Sequence, residues 1–181
     1  MWVVKRIYLG IAFLSGAILL TACSIEKNTP KENRPVEEQV NVDTVAAEFT
    51  LFELSHEENH AYNNFQQDFN LEHLRRLEPI SVAKLYVRTI VDKKYDVQYA
   101  LYTDRDNYIQ WSKEDDEKFP LSDRASSEQV VKQFKNLDKG EFIQTNDFEG
   151  YIEYDSGEGK RGFKMIKNED GIWQVAFLPI Q

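Results

Sequence analysis

The chain has 181 residues, of which 41% are apolar and 13% aromatic, and its 22 Lys and Arg against 31 Asp and Glu give a formal charge of -9. This apolar and aromatic content excludes a disordered chain, and the length favours one domain over several. The negative charge argues against nucleic acid as a partner. Cys23 is the only cysteine, which excludes an internal disulfide and a zinc site built from cysteines.

A membrane-targeting segment opens the chain. Lys5 and Arg6 give a short positive start, and residues 7–22 contain no charge, as in a signal peptide. A spanning helix needs about 20 apolar residues, so length alone does not separate the two. The run ends in residues 20–23 (LTAC), which resemble the lipobox of bacterial lipoprotein precursors. The alternative is an uncleaved signal anchor in which Cys23 is incidental.

The lipobox resemblance implies cleavage before Cys23 and attachment of a diacylglyceryl group to that cysteine. Two or more acyl chains are enough for stable anchoring to a membrane. Loss of residues 1–22 removes Lys5 and Arg6, which leaves 20 basic against 31 acidic residues and a formal charge of -11. We therefore expect a protein that is lipid-anchored on the extracytoplasmic face of the cell membrane.

The residues after Cys23, up to residue 42, have the composition of a flexible tether. They include Pro30, Pro35 and many charged residues, with few apolar ones, so they cannot bury a core. We expect the tether to hold a single domain, residues 43–181, a few tens of ångströms from the membrane at most. The core of that domain is predicted in about residues 71–181.

The first half of this domain, about residues 43–137, has apolar residues at helical spacing. Pro79 suits the first turn of the strongest helical pattern. Ser55 with Glu58, and Ser126 with Gln129, have the spacing of capping boxes, which marks helix starts. The apolar positions of the helical patterns are Val45, Phe49 and Phe52; Tyr62, Phe65 and Phe69; Ile80, Ala83, Val87, Ile90 and Val91; Val97, Ala100 and Leu101; and Val130, Val131, Phe134 and Leu137.

The second half, about residues 141–179, alternates in the manner of strands. We expect strands over residues 148–154, 162–167 and 172–179, joined by glycine-containing turns. In the last of these, Trp173, Val175 and Phe177 alternate with Gln174 and Ala176. Helices followed by an antiparallel meander predict an α+β domain with the helices packed on one face of the sheet.

From about residue 71 to the C-terminus, the order of elements resembles the nuclear transport factor 2-like superfamily. The segments that carry this resemblance are residues 77–86 (LEPISVAKLY), 95–102 (YDVQYALY) and 171–175 (GIWQV), which look like lipoproteins of low-GC Gram-positive bacteria. The resemblance implies N-terminal helices over a strongly curved antiparallel sheet that forms a cone. It implies no single activity, because this fold holds isomerases, dehydratases and binding modules.

Residues 56–60 (HEENH) match the H-E-x-x-H pattern, in which two histidines on one helix face bind zinc and the glutamate is the general base. However, the capping box at Ser55 would place His56 in an exposed first turn, which is a poor position for a buried metal. We therefore predict a solvated helix start and no metal site, with His56 and His60 as the candidate ligands if zinc is bound.

A pocket is predicted inside the cone, and we expect Tyr86, Tyr99, Trp111 and Trp173 to line it. The competing interpretation is that tyrosines at helical spacing belong to the core and only their hydroxyls reach its rim. The acidic run at residues 113–118 (KEDDEK) lacks the glycine and spacing of a calcium loop and predicts an exposed helix or loop. No phosphate loop or Ser/His/Asp set is recognisable, so we expect no catalytic residues and no cofactor.

These features favour a membrane-anchored, non-catalytic module of the cell envelope. Its domain would bind a small apolar ligand or an envelope protein, or form a homodimer. The alternative is a small envelope enzyme. Such an enzyme would be a zinc hydrolase that uses His56 and His60, or an acid-base isomerase or dehydratase in the cone.

The substitution Cys23→Ser is expected to abolish labelling of the chain by a palmitate analogue and to leave the precursor uncleaved, because this residue is the predicted lipid acceptor. In-gel detection of the label and the mass of the membrane-isolated chain measure both effects. Ser24→Ala serves as the neighbouring control and should be labelled normally. Labelling that persists in Cys23→Ser would contradict the lipoprotein prediction.

Overall fold

The computed structural model of the chain describes residues 51–180. The predicted signal peptide, Cys23, the tether and residues 43–50 of the predicted domain lie outside the described residues. Within the described range, no helix combines the length and the apolar character needed to cross a membrane.

Helices occupy the first part of the described chain. The two longest come first and three shorter ones follow, and a brief 3-10 turn lies between each successive pair except the second and third. Their bounds are α1 His56–Asp68, α2 Pro79–Val91, α3 Tyr95–Ala100, α4 Lys113–Glu117 and α5 Ser127–Phe134.

The predicted helix starts are confirmed. The Ser55 hydroxyl accepts from the Glu58 amide, and the Glu58 carboxylate accepts from the Ser55 amide, so α1 begins with a capping box. Ser126 and Gln129 form the same reciprocal pair at α5, and Pro79 is the first residue of α2. Each cap joins residues only three apart, so the local sequence is sufficient to specify it.

A four-stranded antiparallel sheet follows the helices, with its strands in chain order. Its strands are β1 Glu141–Gln144, β2 Glu149–Asp155, β3 Lys160–Lys167 and β4 Trp173–Ile180. This meander confirms the predicted α+β class. The short first strand has no alternation between buried and exposed residues; it lies in the region predicted to form strands but before the first individually predicted strand, residues 148–154.

One hydrophobic core joins the helices to the sheet. Helix α2 packs on β4, and side chains from one face of β2, β3 and β4 complete the core. The most deeply buried members include Phe65, Val82, Leu85, Leu101, Ile152, Phe163, Met165 and Val175.

The edge of β4 is covered by residues from the loop after α3. The Thr103 amide donates to the Val175 carbonyl at 2.8 Å, and the Val175 amide donates to the Leu101 carbonyl at 2.9 Å. The Gln174 side chain donates to the Tyr102 carbonyl at 3.1 Å and is only 1% exposed. The alternating sequence of β4 therefore does not produce alternating burial.

A bulge distorts the end of β4. Met165 pairs with Val175, but Phe163 pairs with Ile180, so more residues of β4 than of β3 lie between the two pairs. Leu178, within this bulge, has a φ of 51°, a left-handed conformation that is strained for a branched side chain. The bulge leaves Leu178 exposed.

A buried ion pair connects α1 to α2. The Lys84 ammonium lies 2.6 Å from the Glu58 carboxylate, and the two side chains are 12% and 6% exposed. Burial by itself raises the pKa of Glu58, but the hydrogen bonds from Lys84 and from the Ser55 amide outweigh it and lower that pKa. Glu58 therefore depends on Lys84 to stay ionised in this buried position.

The substitution Lys84→Met is expected to lower the free energy of unfolding by about 3 kcal/mol at neutral pH, because it leaves a carboxylate buried without a cation. Urea unfolding measures this loss. Lys113→Met removes an exposed pair, with side chains 49% and 67% exposed, and should cost less than about 0.5 kcal/mol.

The pH dependence supplies a second readout. Because the folded pKa of Glu58 is lowered, its stabilising contribution is fully present above its ordinary value of 4.5 and is lost as the pH falls through the folded value. The cost of Lys84→Met should therefore shrink in acid. Equal effects of the two lysine substitutions at every pH would contradict this account.

Candidate functional site

A cleft of about 450 Å³ opens between the helices and the bulged end of β4. This volume falls in the range of small-molecule sites, which are largely apolar with a few polar groups. Six aromatic side chains line the cleft, together with residues from the end of β4 and a small number of polar groups. The aromatic residues are Tyr86, Tyr95, Tyr102, Trp111, Phe119 and Phe134.

Closely packed aromatic rings form the floor of the cleft. Tyr102 stacks on Phe177 with ring centroids 4.5 Å apart and contacts Tyr86 at 5.5 Å. Trp111 packs edge-on against Phe177 at 4.6 Å. Such contacts fix the orientation of each ring, so the floor is a preformed apolar surface.

Two tyrosine hydroxyls meet in the cleft. The Tyr86 and Tyr102 oxygens lie 2.9 Å apart, and the Gln98 amide donates to the Tyr86 oxygen at 3.0 Å. The pair has two hydroxyl protons, of which one is shared between the oxygens and the other has no acceptor among residues 51–180. Burial raises the pKa of both hydroxyls above 10, so both protons are retained.

An ion pair closes one side of the cleft. The Asp116 carboxylate accepts from Arg124 at 3.0 Å and from the Trp111 indole at 3.2 Å. Arg124 also donates to the Asp116 carbonyl, and its guanidinium lies 4.1 Å from the centre of the Tyr95 ring. These contacts hold α4 and the following loop against the aromatic floor.

Large apolar side chains remain exposed beside this floor. Phe119 and Leu178 both line the cleft, yet they are 53% and 69% exposed. An adjoining groove of about 400 Å³ shares Tyr95 and Arg124 with the cleft and carries a third exposed apolar residue, Leu121. Clustered apolar exposure of this kind is typical of surfaces that bind a ligand or another protein.

The structure brings together two of the four predicted pocket residues. Tyr86 and Trp111 line the cleft. Tyr99 does not line the cleft. It contacts a residue that does, because its hydroxyl donates to the Trp111 carbonyl at 3.0 Å. Trp173 lies elsewhere, with its ring 4.9 Å from that of Phe142.

The histidines predicted as alternative zinc ligands lie at the exposed start of α1. His56 is the first residue of that helix, and His60 follows one turn later. Both line a surface groove that also contains His73 and the oppositely charged residues Glu57, Glu72, Arg75 and Arg76. Among residues 51–180, no group of three or more His, Cys, Asp or Glu side chains could hold a metal ion.

Sequence reasoning missed the part that the acidic run plays in the cleft. Residues 113–117 form a short helix, as the exposed helix-or-loop prediction allows, but Asp116 within it is buried. Its partner Arg124 lies eight positions later, beyond the reach of any helical spacing rule. The one available signal was Phe119, an isolated aromatic residue in a strongly polar stretch.

Comparison with models of protein families, with curated proteins and with solved structures finds no match to this chain.

Replacing both Tyr86→Phe and Tyr102→Phe is expected to reduce the loss of stability above pH 10. The folded pKa values of both hydroxyls are raised. Their contribution to stability is therefore fully present below the ordinary tyrosine pKa and is lost as the pH rises above it, because the unfolded chain then releases protons that the folded chain keeps. Each tyrosine contributes a slope of about 1.4 kcal/mol per pH unit. Urea unfolding between pH 9 and pH 11 measures the slope. The free energy of unfolding at pH 7, where both hydroxyls are protonated in the folded and unfolded chain, isolates the effect of the substitutions on packing. Equal slopes for the wild type and the double variant would contradict the prediction.

Proposed function

We propose that the protein is a lipid-anchored, extracytoplasmic binding protein whose cleft holds a small amphipathic molecule without transforming it. The observation that carries the proposal is the exposure of Phe119 and Leu178 beside a preformed aromatic floor. Covering these side chains would remove apolar surface from water, which is the main source of affinity in such sites.

The polar groups of the cleft fit binding better than catalysis. Asp116 is held by Arg124 and by the Trp111 indole, so its charge is already compensated. The hydroxyls of Tyr86 and Tyr102 keep their protons because burial raises their pKa. These groups can orient a ligand, and a hydroxyl that keeps its proton is not available as a general base. No observation among the described residues favours the zinc-hydrolase or isomerase alternatives.

The proposal includes a nuclear transport factor 2-like cone as the finer description of the fold. It is supported by the ring contact between Phe142 of β1 and Trp173 of β4, whose centroids are 4.9 Å apart. A flat sheet would separate these outer strands by about 14 Å. Both rings lie on the face of Gly150, where an added Cβ would come within 2.4 Å of the Phe142 ring. Strong curvature of the sheet, permitted by this glycine, accounts for the contact.

The proposed membrane anchor would keep the cleft close to the membrane surface. Lipidation at Cys23 and a tether of about 20 residues would hold the domain within a few tens of ångströms of the membrane surface. Amphipathic molecules concentrate there, since their apolar parts partition into the bilayer. A cleft with an exposed apolar rim is suited to capture such molecules.

Mass spectrometry of an organic extract of the full chain, isolated from membranes, tests this proposal. The wild type should carry a small molecule that is absent from Ala125→Trp, in which an indole adds bulk to the wall that the cleft shares with the adjoining groove. Asn107→Trp is the matched control, because Asn107 lines a separate polar groove, and it should retain the molecule. Identical extracts from the wild type and Ala125→Trp would contradict the proposal.

A further inference from the structure

We infer that the ligand of the cleft has an oxygen acceptor at its polar end, a carboxylate or an uncharged carbonyl, which takes hydrogen bonds from Arg124 and from the Tyr86–Tyr102 pair. This inference rests on the proposed function, because it names the chemical class of the ligand for the same cleft. It is carried by two hydrogen-bond donors of the lining that have no acceptor among residues 51–180.

Arg124 supplies the first of these donors. Its Nη2 group donates to the Asp116 carbonyl at 2.6 Å and to the Asp116 carboxylate at 3.0 Å. Its Nε is buried and has no hydrogen-bond partner in the described part of the chain. The pairing with Asp116 therefore compensates the charge of Arg124 without using this nitrogen. A buried guanidinium N–H without an acceptor is costly, and a ligand oxygen would remove that cost.

The tyrosine pair supplies the second donor. The Tyr86 oxygen accepts from the Gln98 amide at 3.0 Å, and the Tyr86 and Tyr102 oxygens lie 2.9 Å apart. One of the two hydroxyl protons lies between these oxygens, and the other has no acceptor among the described residues. Both tyrosines are buried, so this proton also needs a partner that the ligand can provide.

The ion pair and the tyrosine pair lie near each other. Arg124, Tyr86 and Tyr102 all line the cleft. Burial raises the pKa of both tyrosine hydroxyls, Asp116 raises it further and Arg124 opposes the rise, so the charges lie close enough to act on the hydroxyls. Carboxylate and carbonyl oxygens have lone pairs for more than one donor. Because neighbouring atoms cover Arg124 Nε, a small shift of the cleft wall would accompany its contact with a ligand.

An alkylammonium end group does not suit these donors. It has no lone pair for either of them, and it would bring a second cation close to Arg124. The Asp116 carboxylate already accepts from Arg124 and from the Trp111 indole. Asp123, the other carboxylate of the lining, is exposed, where pairing with a cation contributes little. The lining therefore favours an oxygen acceptor over an ammonium group on the same apolar tail.

Three probes with the same tail test this inference: octanoate, octanamide and octylammonium. The full chain is placed in phosphatidylcholine nanodiscs with Trp2→Phe and Trp173→Phe, which leaves Trp111 as its only tryptophan. Because Trp111 lines the cleft, its emission reports occupancy. Empty nanodiscs correct for partition of each probe into lipid.

Octanoate and octanamide are each expected to bind about tenfold more tightly than octylammonium, the effect of one satisfied buried donor. Arg124→Lys keeps a cation beside Asp116 but removes the Nε donor. It should weaken octanoate and octanamide about tenfold each and leave octylammonium within about twofold. Tyr86→Phe combined with Tyr102→Phe should have the same effect, because it removes the second donor.

Each set of variants has a matched control that should change the binding of none of the three probes. Arg105→Lys is the control for Arg124→Lys, because Arg105 lines a separate polar groove and its Nε already donates to the Lys167 carbonyl. Tyr151→Phe is the control for the tyrosine substitutions, since Tyr151 is absent from the lining. If a cleft variant does not fold, the ranking of the probes by the wild type still decides the matter.

The outcomes distinguish the inference from the function on which it rests. Octylammonium binding as tight as that of octanoate and octanamide overturns the inference but leaves the cleft a binding site. A preference for the two acceptors that survives both Arg124→Lys and the loss of both hydroxyls overturns the assigned donors. Tighter binding of octanoate than of octanamide supports a carboxylate ligand, and the reverse supports an uncharged carbonyl. No binding of any probe, together with identical extracts from the wild type and Ala125→Trp, overturns the proposed function as well.

Discussion

The structure depends on the pairing of residues 101–103 with the edge of β4. Two backbone hydrogen bonds with Val175 attach the helical part of the chain to the sheet, and the Gln174 side chain strengthens the attachment by donating to the Tyr102 carbonyl. This pairing fixes Tyr102 beside Phe177. The aromatic floor follows from it, because Trp111 and Tyr86 both pack against this stacked pair.

Two further features convert the floor into a cleft. The Asp116–Arg124 pair holds α4 and the following loop over one side, and the bulge of β4 places Leu178 at the other. The strained backbone of Leu178 is stabilised only by its surroundings, and strain of this kind tends to occur where a side chain serves a function. The result is a largely apolar cavity with an ion pair at one side, a pair of tyrosine hydroxyls, and a buried Arg124 Nε that has no hydrogen-bond partner among the described residues.

The sequence predicts those parts of the fold that depend on local interactions. The starts of α1 and α5 follow from Ser55 and Ser126, because a capping box joins residues three apart, and strand alternation with glycine turns predicts the meander. The cleft is only partly predictable. Tyr86 and Trp111 were expected to line a pocket, but the burial of Glu58 against Lys84, 26 positions away, and of Asp116 against Arg124 depends on tertiary packing that no spacing rule encodes. Membership of the nuclear transport factor 2-like superfamily and lipidation of Cys23 stay predictions.

The central claim is that the cleft between the helices and the end of β4 is the binding site. The most direct measurement is fluorine NMR of the full chain labelled with 5-fluorotryptophan, in lipid nanodiscs, with each signal assigned by a Trp→Phe substitution. On addition of octanamide, the account predicts a saturable shift of the Trp111 signal and no shift of the Trp173 signal, since Trp111 lines the cleft and Trp173 packs against Phe142. A shift of Trp173 without a shift of Trp111 would place the ligand elsewhere and contradict the account.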